Sequence, residues 1–134
     1  MKTKGFTLVE LVIVIVIVGI LTIVSFTLYK DLTRKNMATE GRSLLDTIQT
    51  AEKVYFAEYA SFMSVENTSF NSVLDVDART NKYFKTFSIS ASGTGSEAKY
   101  TAKTAGTGGA SGISLTLIGS SQGTPTFIDT GLNN

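Results

Sequence analysis

The sequence predicts an α+β protein. One long N-terminal helix, over about residues 6–59, is expected to pack its C-terminal half against a small antiparallel β-meander of three to four strands. Three observations support this fold class: an uncharged apolar run near the N-terminus, a following stripe of apolar residues at helical spacing, and a change to a period of two after Lys82. The only proline is Pro125, so no proline interrupts the helix.

The apolar run from Leu11 to Leu28 is long enough to cross a membrane. As a helix that rises about 1.5 Å per residue it spans about 27 Å, close to the roughly 30 Å hydrocarbon core of a bilayer. The polar stretch Tyr29–Lys35 follows, and it lacks the small-residue cleavage site that ends a removable secretory signal. Residues 6–28 are therefore predicted to be a transmembrane segment.

The residues that begin this segment form a specific pattern. Glu10 is an ionisable residue at the edge of the span. A charge at the bilayer centre costs about 2.5–3.5 kcal/mol; near the end of the span the cost is smaller, but a partner is still expected. The segment resembles the prepilin N-terminus of type IV pilins and type II secretion pseudopilins. The resemblance is close over residues 1–30 and looser to about Phe62. It is carried by Lys4-Gly5-Phe6-Thr7-Leu8-Val9-Glu10-Leu11 and the apolar run with Gly19 inside it.

This resemblance implies a structural filament subunit and not an enzyme. In the family, a prepilin peptidase in the membrane cuts at the junction that is Gly5-Phe6 here, which removes a leader of residues 1–5. The same enzyme methylates the new amine, which implies N-methylphenylalanine at Phe6. The implied partners are an inner-membrane assembly platform and further copies of the chain, in a helical homopolymer. The filament is expected to be extracellular or to span the periplasm.

The basic residues Lys2 and Lys4 predict the orientation of the precursor in the inner membrane. Positive residues next to a span tend to stay on the cytoplasmic side, which places the N-terminus in the cytoplasm and the C-terminal part outside. Arg34 and Lys35 on the far side of the span weaken this tendency.

Two interpretations of Glu10 are open. Residues i and i+4 are neighbours on a helix, so the Glu10 carboxylate can reach the amine that cleavage creates on Phe6, within one subunit or between two. The family resemblance favours a contact between subunits during assembly. In the alternative, Glu10 only caps the helix start, where the helix dipole favours an acid.

Part of the span is a candidate for helix melting during assembly, which the resemblance implies. Its residues are Gly19, Thr22, Ser25 and Thr27. Gly19 alternatively lets helix backbones pack closely. Many pilins have a proline near the exit of the span, whereas Thr27 occupies that position here, so melting driven by proline is not expected. The hydroxyl groups can instead bond back to helix carbonyls and loosen the helix.

The rest of the chain is predicted to form a globular part. Residues 29–60 continue the helix as its amphipathic half, whose apolar stripe is expected to seat the sheet, with Glu52 off the stripe. Residues 61–82 are expected to be a connecting loop. Residues 83–134 are expected to form the antiparallel sheet, because apolar and polar residues alternate between glycine-rich turns. The stripe comprises Leu44, Leu45, Ile48, Ala51, Val54, Tyr55 and Tyr59.

The composition excludes several functions. The chain has no His and no Cys, which rules out Ser-His and Cys-His catalytic groups, zinc sites built from those residues, and disulfides. The net charge of +1 gives no large basic field, so nucleic-acid binding is not favoured. No cofactor is predicted. Calcium at Asp75, Asp77 and Asn81 is the less favoured interpretation, because the glycine and glutamate of an EF-hand loop are missing.

The favoured function is a structural subunit of a type IV pilus-like filament. Two alternatives share its assembly chemistry: a type II secretion pseudopilin and a DNA-uptake competence pilin. A membrane-anchored binding domain is an alternative of a different class. The outer face predicted for the sheet is rich in Ser and Thr, which suits the water-exposed surface of a pilus.

Overall fold

The computed structural model describes residues 5–132 and divides the chain into two compact units, one ending at Thr33 and the other beginning at Arg34. One continuous helix, α1 (Leu8–Tyr59), begins in the first unit and ends in the second. The long helix predicted from the sequence is confirmed, with its first residue at Leu8. The expected leader, apart from Gly5, lies outside the described residues.

The second unit contains two antiparallel sheets. The larger sheet has the strand order β1-β4-β5-β6-β7, and the smaller one pairs β2 with β3. Strands β4 to β7 form the meander that the alternation predicts, so the α+β fold class is confirmed. The strands are β1 (Val65–Thr68), β2 (Phe70–Asn71), β3 (Val76–Asp77), β4 (Phe87–Ser92), β5 (Lys99–Ala105), β6 (Ser114–Ser120) and β7 (Thr126–Thr130).

Strands β1, β2 and β3 lie in the segment that the sequence assigned to a connecting loop. Val65 of β1 lies opposite Ile89 of β4, and this pairing gives the large sheet a fifth strand where three to four were expected. In β1, Val65 is the only buried residue and the residues after it are polar. An alternation this short does not distinguish a strand from a loop.

The core of the second unit forms between α1 and the inner face of the large sheet. Leu45 and Ile48 of α1 are fully buried, and so are Ala102 and Leu117, which lie opposite each other on β5 and β6. Burial of one such Leu or Ile contributes about 1.5–3 kcal/mol. Gly41 brings the helix close to the sheet, because a Cβ there would lie 2.6 Å from a methyl group of Leu115.

The apolar stripe of α1 is buried in its first part and exposed in its last part. Leu45 and Ile48 are fully buried, whereas Val54 and Tyr59 are each 60% exposed. The prediction that Glu52 lies off the stripe is wrong, because its side chain is fully buried. Glu52 follows Ile48 by four residues, which places both on one face of the helix.

Glu40 attaches the segment before β4 to α1. Its carboxylate accepts hydrogen bonds from three consecutive backbone N–H groups at 2.7–3.0 Å, those of Lys82, Tyr83 and Phe84. Partial burial raises the pKa of Glu40, but these hydrogen bonds and the Lys82 charge outweigh it and hold the pKa below its ordinary value. The residue therefore fixes this segment as a charged carboxylate.

Two arginines of α1 bind β7 and the residues after it. Nη2 of Arg34 donates to the carbonyl oxygen of Gly131 at 2.6 Å, and Arg42 forms an ion pair with Asp129. Gly131 has a φ of +79°, and a Cβ there would overlap the carbonyl of Gly112, so glycine is required. These contacts attach the edge strand to the helix in a chain that has no disulfide.

Glu52 has a fully buried carboxyl group. Its Oε2 accepts a hydrogen bond from the backbone N–H of Met63 at 2.9 Å, and its Oε1 has no partner among the described residues. Burial raises the pKa of Glu52 to about 7, and the Met63 N–H opposes this shift. Burial and the charge of Glu52 also raise the pKa of Tyr100 to about 12, so Tyr100 stays protonated at neutral pH.

Glu52→Gln should remove a pH dependence from the stability of the second unit. The pKa of Glu52 is about 7 in the folded chain against an ordinary value of 4.5, so the folded state binds the proton more tightly. The contribution of Glu52 to the free energy of unfolding is fully present below about pH 4.5 and is lost as the pH rises through about 7. The difference is up to about 3 kcal/mol.

Chemical denaturation of the full chain in detergent, at about pH 5 and about pH 8, measures this effect. The unchanged protein should be less stable at the higher pH, and the Glu52→Gln variant should lose most of that difference. The matched control is Glu58→Gln, which changes an exposed acid on the same helix and should keep it. An undiminished pH dependence in the Glu52 variant would contradict the prediction.

Candidate functional site

A capping box closes the N-terminal end of α1. Thr7 is the N-cap residue: its carbonyl oxygen accepts the N–H of Leu11 and its Oγ1 accepts the N–H of Glu10, both at 3.3 Å. In return, Oε2 of Glu10 accepts the N–H and the hydroxyl of Thr7, at 2.8 and 2.7 Å. Thr7 was not singled out from the sequence, although the Thr-x-x-Glu spacing of a capping box is readable there.

Gly5 and Phe6 precede the helix and are accessible. Both lie outside regular secondary structure, and the Phe6 side chain is 85% exposed. No described atom lies within 4 Å of the position that a Cβ on Gly5 would occupy. No described side chain therefore covers the Gly5 end of the peptide bond between these residues. The nitrogen of this bond is the backbone nitrogen of Phe6. Phe6 directly precedes Thr7, whose N–H is already hydrogen-bonded to Glu10.

The Glu10 carboxylate has capacity for another donor. Both hydrogen bonds from Thr7 end on Oε2, and Oε1 accepts none from the described residues. A carboxylate can accept about four hydrogen bonds. The capping contact that one interpretation of Glu10 expects is therefore present, and it is compatible with a further, charged partner.

Beyond the capping box, α1 presents apolar side chains in every direction. All residues from 5 to 32 are exposed. The most apolar window of 18 residues has a mean hydropathy of 3.1 and is 0% buried, so by length and composition this helix could cross a membrane. Soluble monomers rarely expose an apolar surface of this extent. The surface is suited to lipid or to helices of the same kind.

The candidate melting segment around Gly19 is continuous helix in this single chain. No described side chain lies within 4 Å of a Cβ built on Gly19. The hydroxyl groups donate to carbonyls of the preceding turn: Thr22 to Val18 at 2.7 Å, Ser25 to Leu21 at 2.8 Å and Thr27 to Val24 at 3.0 Å. Such bonds weaken a helix slightly. Melting during assembly stays a prediction.

Two of the three residues weighed as calcium ligands, Asp77 and Asn81, have other contacts. The guanidinium of Arg79 binds both carboxylate oxygens of Asp77, at 2.9 and 2.7 Å, and these hydrogen bonds lower the pKa of Asp77 to about 2. Asn81 donates to the carbonyl of Phe84 at 2.9 Å, and Asp75 lies in the turn before β3 with a φ of +52°. The described residues contain no group of three His, Cys, Asp or Glu side chains arranged to hold a metal ion.

Comparisons with known proteins find similarity at this N-terminal site and over much of the chain. The family model described as the prokaryotic N-terminal methylation motif matches residues 1–26. The chain is 33% identical over 121 residues to the fimbrial protein EcpC of Eikenella corrodens, which covers 89% of this chain and 76% of that protein.

Two other relatives match over shorter stretches. The chain is 35% identical over 86 residues to a fimbrial protein of Neisseria meningitidis, covering 64% of this chain and 49% of that one. It is 30% identical over 66 residues to the type IV major pilin protein PilA of Myxococcus xanthus, covering 49% and 30%. No solved structure matches.

The methylation motif covers the Gly5-Phe6 junction, the capping box and most of the apolar half of α1, and the similarity to EcpC covers 89% of the chain. The chain therefore belongs to the type IV pilin family, whose members are structural subunits of filaments and not enzymes.

Proposed function

We propose that this chain is the major subunit of a type IV pilus, made as an inner-membrane precursor and polymerised after cleavage between Gly5 and Phe6. The observation that carries the proposal is the capping box, which holds the Glu10 carboxylate at the helix start, four residues from Phe6. The apolar surface of α1 follows directly and needs lipid or other copies to cover it.

Before assembly, the apolar half of α1 spans the inner membrane. Its exposed apolar length suits the hydrocarbon core. Lys2 and Lys4 favour a cytoplasmic N-terminus, which leaves the second unit outside. Residues 6–28 then act as an anchor until the assembly platform in the inner membrane removes the subunit from the bilayer.

Cleavage converts this anchor into a polymerisation element. A prepilin peptidase removes residues 1–5 and methylates the new amine of Phe6. Without the cut, Lys2 and Lys4 would be drawn into the apolar interior of the filament, where unpaired charges are unfavourable. After the cut, the amine of Phe6 is the positive charge that remains at the helix start.

Glu10 of one subunit then binds the Phe6 amine of its neighbour. Opposite charges attract far more strongly in an apolar interior than in water. Oε1 of Glu10 is available for this contact, because Thr7 occupies Oε2. A pair within one subunit would satisfy both charges without favouring assembly, whereas a pair between subunits couples charge neutralisation to polymerisation.

The relatives favour a pilus over the other filaments that share this chemistry. Two of the three relatives described above are named fimbrial proteins, and the third is named a type IV major pilin. A type II secretion pseudopilin or a DNA-uptake competence pilin would begin with the same N-terminal pattern, so the N-terminus alone does not separate these roles.

Gly5→Leu should leave the precursor uncleaved in the membrane and abolish filaments. A side chain at this position obstructs the approach of the backbone to a narrow peptidase site. Immunoblots of the membrane fraction and electron microscopy of sheared filaments measure the two effects. The control Gly19→Leu adds the same side chain inside the span and should be cleaved normally. Cleaved Gly5→Leu protein in filaments of normal yield would refute the role of Gly5.

Glu10→Gln should preserve insertion and cleavage but lower the filament yield by more than about tenfold. Removing one partner of a buried ion pair costs about 3–5 kcal/mol, since the other charge stays buried and unpaired. Gln keeps an oxygen that can accept the Thr7 hydrogen bonds. N-terminal sequencing of the membrane form and quantification of sheared filaments provide the readouts.

Thr7→Ala is the matched control for Glu10→Gln. It removes the cap, which contributes about 1 kcal/mol, but keeps the carboxylate. Filament yield should therefore fall much less than with Glu10→Gln. Equal losses in the two variants would mean that Glu10 acts only as a cap.

A further inference from the structure

A groove in the second unit has the features of a docking site. It lies between the C-terminal end of α1 and the turn that joins β2 to β3, and its volume is about 320 Å³. We call it the tyrosine groove. Its helix wall consists of Ala51, Val54, Tyr55, Glu58 and Tyr59, and its loop wall consists of Val73, Leu74 and Asp75.

The tyrosine groove exposes a cluster of apolar side chains. Val54 and Tyr59 are each 60% exposed and Val73 is 62% exposed. The rings of Tyr55 and Tyr59 stack, with centroids 4.5 Å apart. Large aromatic surfaces that remain open to water are typical of protein interfaces. Val54 and Tyr59 belong to the last part of the α1 stripe, which is exposed.

The loop wall of the groove is held in place without a partner. Oδ1 of Asn71 accepts the backbone N–H groups of Val73 and Leu74, at 3.0 and 2.9 Å. This turn presents Val73 and Asp75 at the rim. Because the turn is already ordered, docking loses little conformational entropy there.

The rim of the groove carries two carboxylates, those of Glu58 and Asp75. The ion pairs found among the described residues are Arg42–Asp129 and Arg79–Asp77, so neither rim carboxylate has a basic partner there. The groove is therefore complementary to a surface that combines an apolar side chain with a nearby cation.

A second copy of the chain carries that combination on α1. Leu32 is 60% exposed and Lys35 is exposed, and their spacing of three residues places them on one face of the helix. Tyr55 and Glu58 have the same spacing. Two parallel helices displaced by about 35 Å, the rise from Lys35 to Glu58, would bring Leu32 against Tyr55 and Lys35 against Glu58.

We propose that the tyrosine groove binds another copy in the filament, displaced by about 35 Å along α1, with Leu32 of that copy on the tyrosines and the Lys35 ammonium between the carboxylates of Glu58 and Asp75. The contact rests on the proposed polymerisation of the chain. It joins a different pair of copies from the Glu10–Phe6 contact, which needs a displacement of only about 6 Å between parallel helices. It lies outside the apolar segment that the membrane covers before assembly.

The placement of the two surfaces on α1 fits an open polymer. At about 100° per residue, Lys35 and Glu58 point in directions about 140° apart around the helix. One copy therefore uses its groove towards one neighbour and its Leu32–Lys35 surface towards another. Such a head-to-tail contact does not close into a dimer and extends into a helical filament.

Cross-linking in intact filaments tests this contact. The chain has no cysteine, so the double variant Lys35→Cys with Glu58→Cys carries the only two thiols. A short bis-maleimide applied to sheared filaments should produce a ladder of dimers, trimers and larger species on a denaturing gel. Either single variant should remain monomeric, because the proposed contact joins two different positions.

The control pair is Lys35→Cys with Asp46→Cys. Asp46 is an exposed acid on α1, about 18 Å from Glu58 along the helix, and it should give no ladder. Filaments whose Lys35/Glu58 pair stays monomeric, or whose control pair cross-links equally, overturn the contact and leave the proposed function intact. Absence of filaments from the unchanged chain overturns both.

Charge reversal provides a second readout that does not depend on cysteines. Glu58→Lys and Lys35→Glu should each lower the filament yield by about tenfold, because like charges then face each other across the contact. The double variant restores opposite charges and should recover most of the yield. Asp46→Lys should have little effect. A double variant that is no better than either single variant overturns the contact.

Discussion

The uncovered apolar half of α1 is the constraint on which the rest of the structure depends. Every residue from 5 to 32 is exposed, and full burial of one Leu, Ile or Val contributes about 1.5–3 kcal/mol. A surface of this kind is stable in lipid or against other copies, and not in water. The capping box completes the hydrogen bonding at its N-terminal end and places a carboxylate where a new amine would appear.

The other half of α1 gives a small sheet a core that the sheet could not form alone. Leu45 and Ile48 cover its inner face, Glu40 binds the segment before β4, and Arg42 forms an ion pair with Asp129 of β7. Disulfides often stabilise domains of this size, and the chain has none. Glu52 is an unfavourable element of the same interface, since its buried carboxyl has one unpartnered oxygen.

Periodic features of the fold could be predicted from the sequence, because many residues contribute to each signal. The end of α1 at Tyr59 and the inward alternation around Tyr100 and Leu117 are examples. Contacts between distant positions could not be predicted in this way. The carboxylate of Glu40 meets backbone groups more than forty positions later, and a single valine in β1 carries too little pattern to reveal the fifth strand.

The same distinction applies to the candidate site. The sequence pattern identifies the Gly5-Phe6 junction, Glu10 and the apolar span, because these features lie close together in the chain. The spacing of Thr7 and Glu10 also predicts a capping box, but the cap was predicted from Glu10 alone. The tyrosine groove could not be predicted from the sequence, because it forms only when the turn after β2 folds against the end of α1.

The attachment of the sheet to α1 has a mechanical consequence. In the part of α1 that carries the sheet, a force along a filament would pass through helical hydrogen bonds that are aligned with the pull. The sheet is attached to the side of that helix by Glu40, Arg34 and Arg42, so it bears shear at those contacts and little tension along its strands. The outer strands can therefore change in sequence without weakening the element that carries the load.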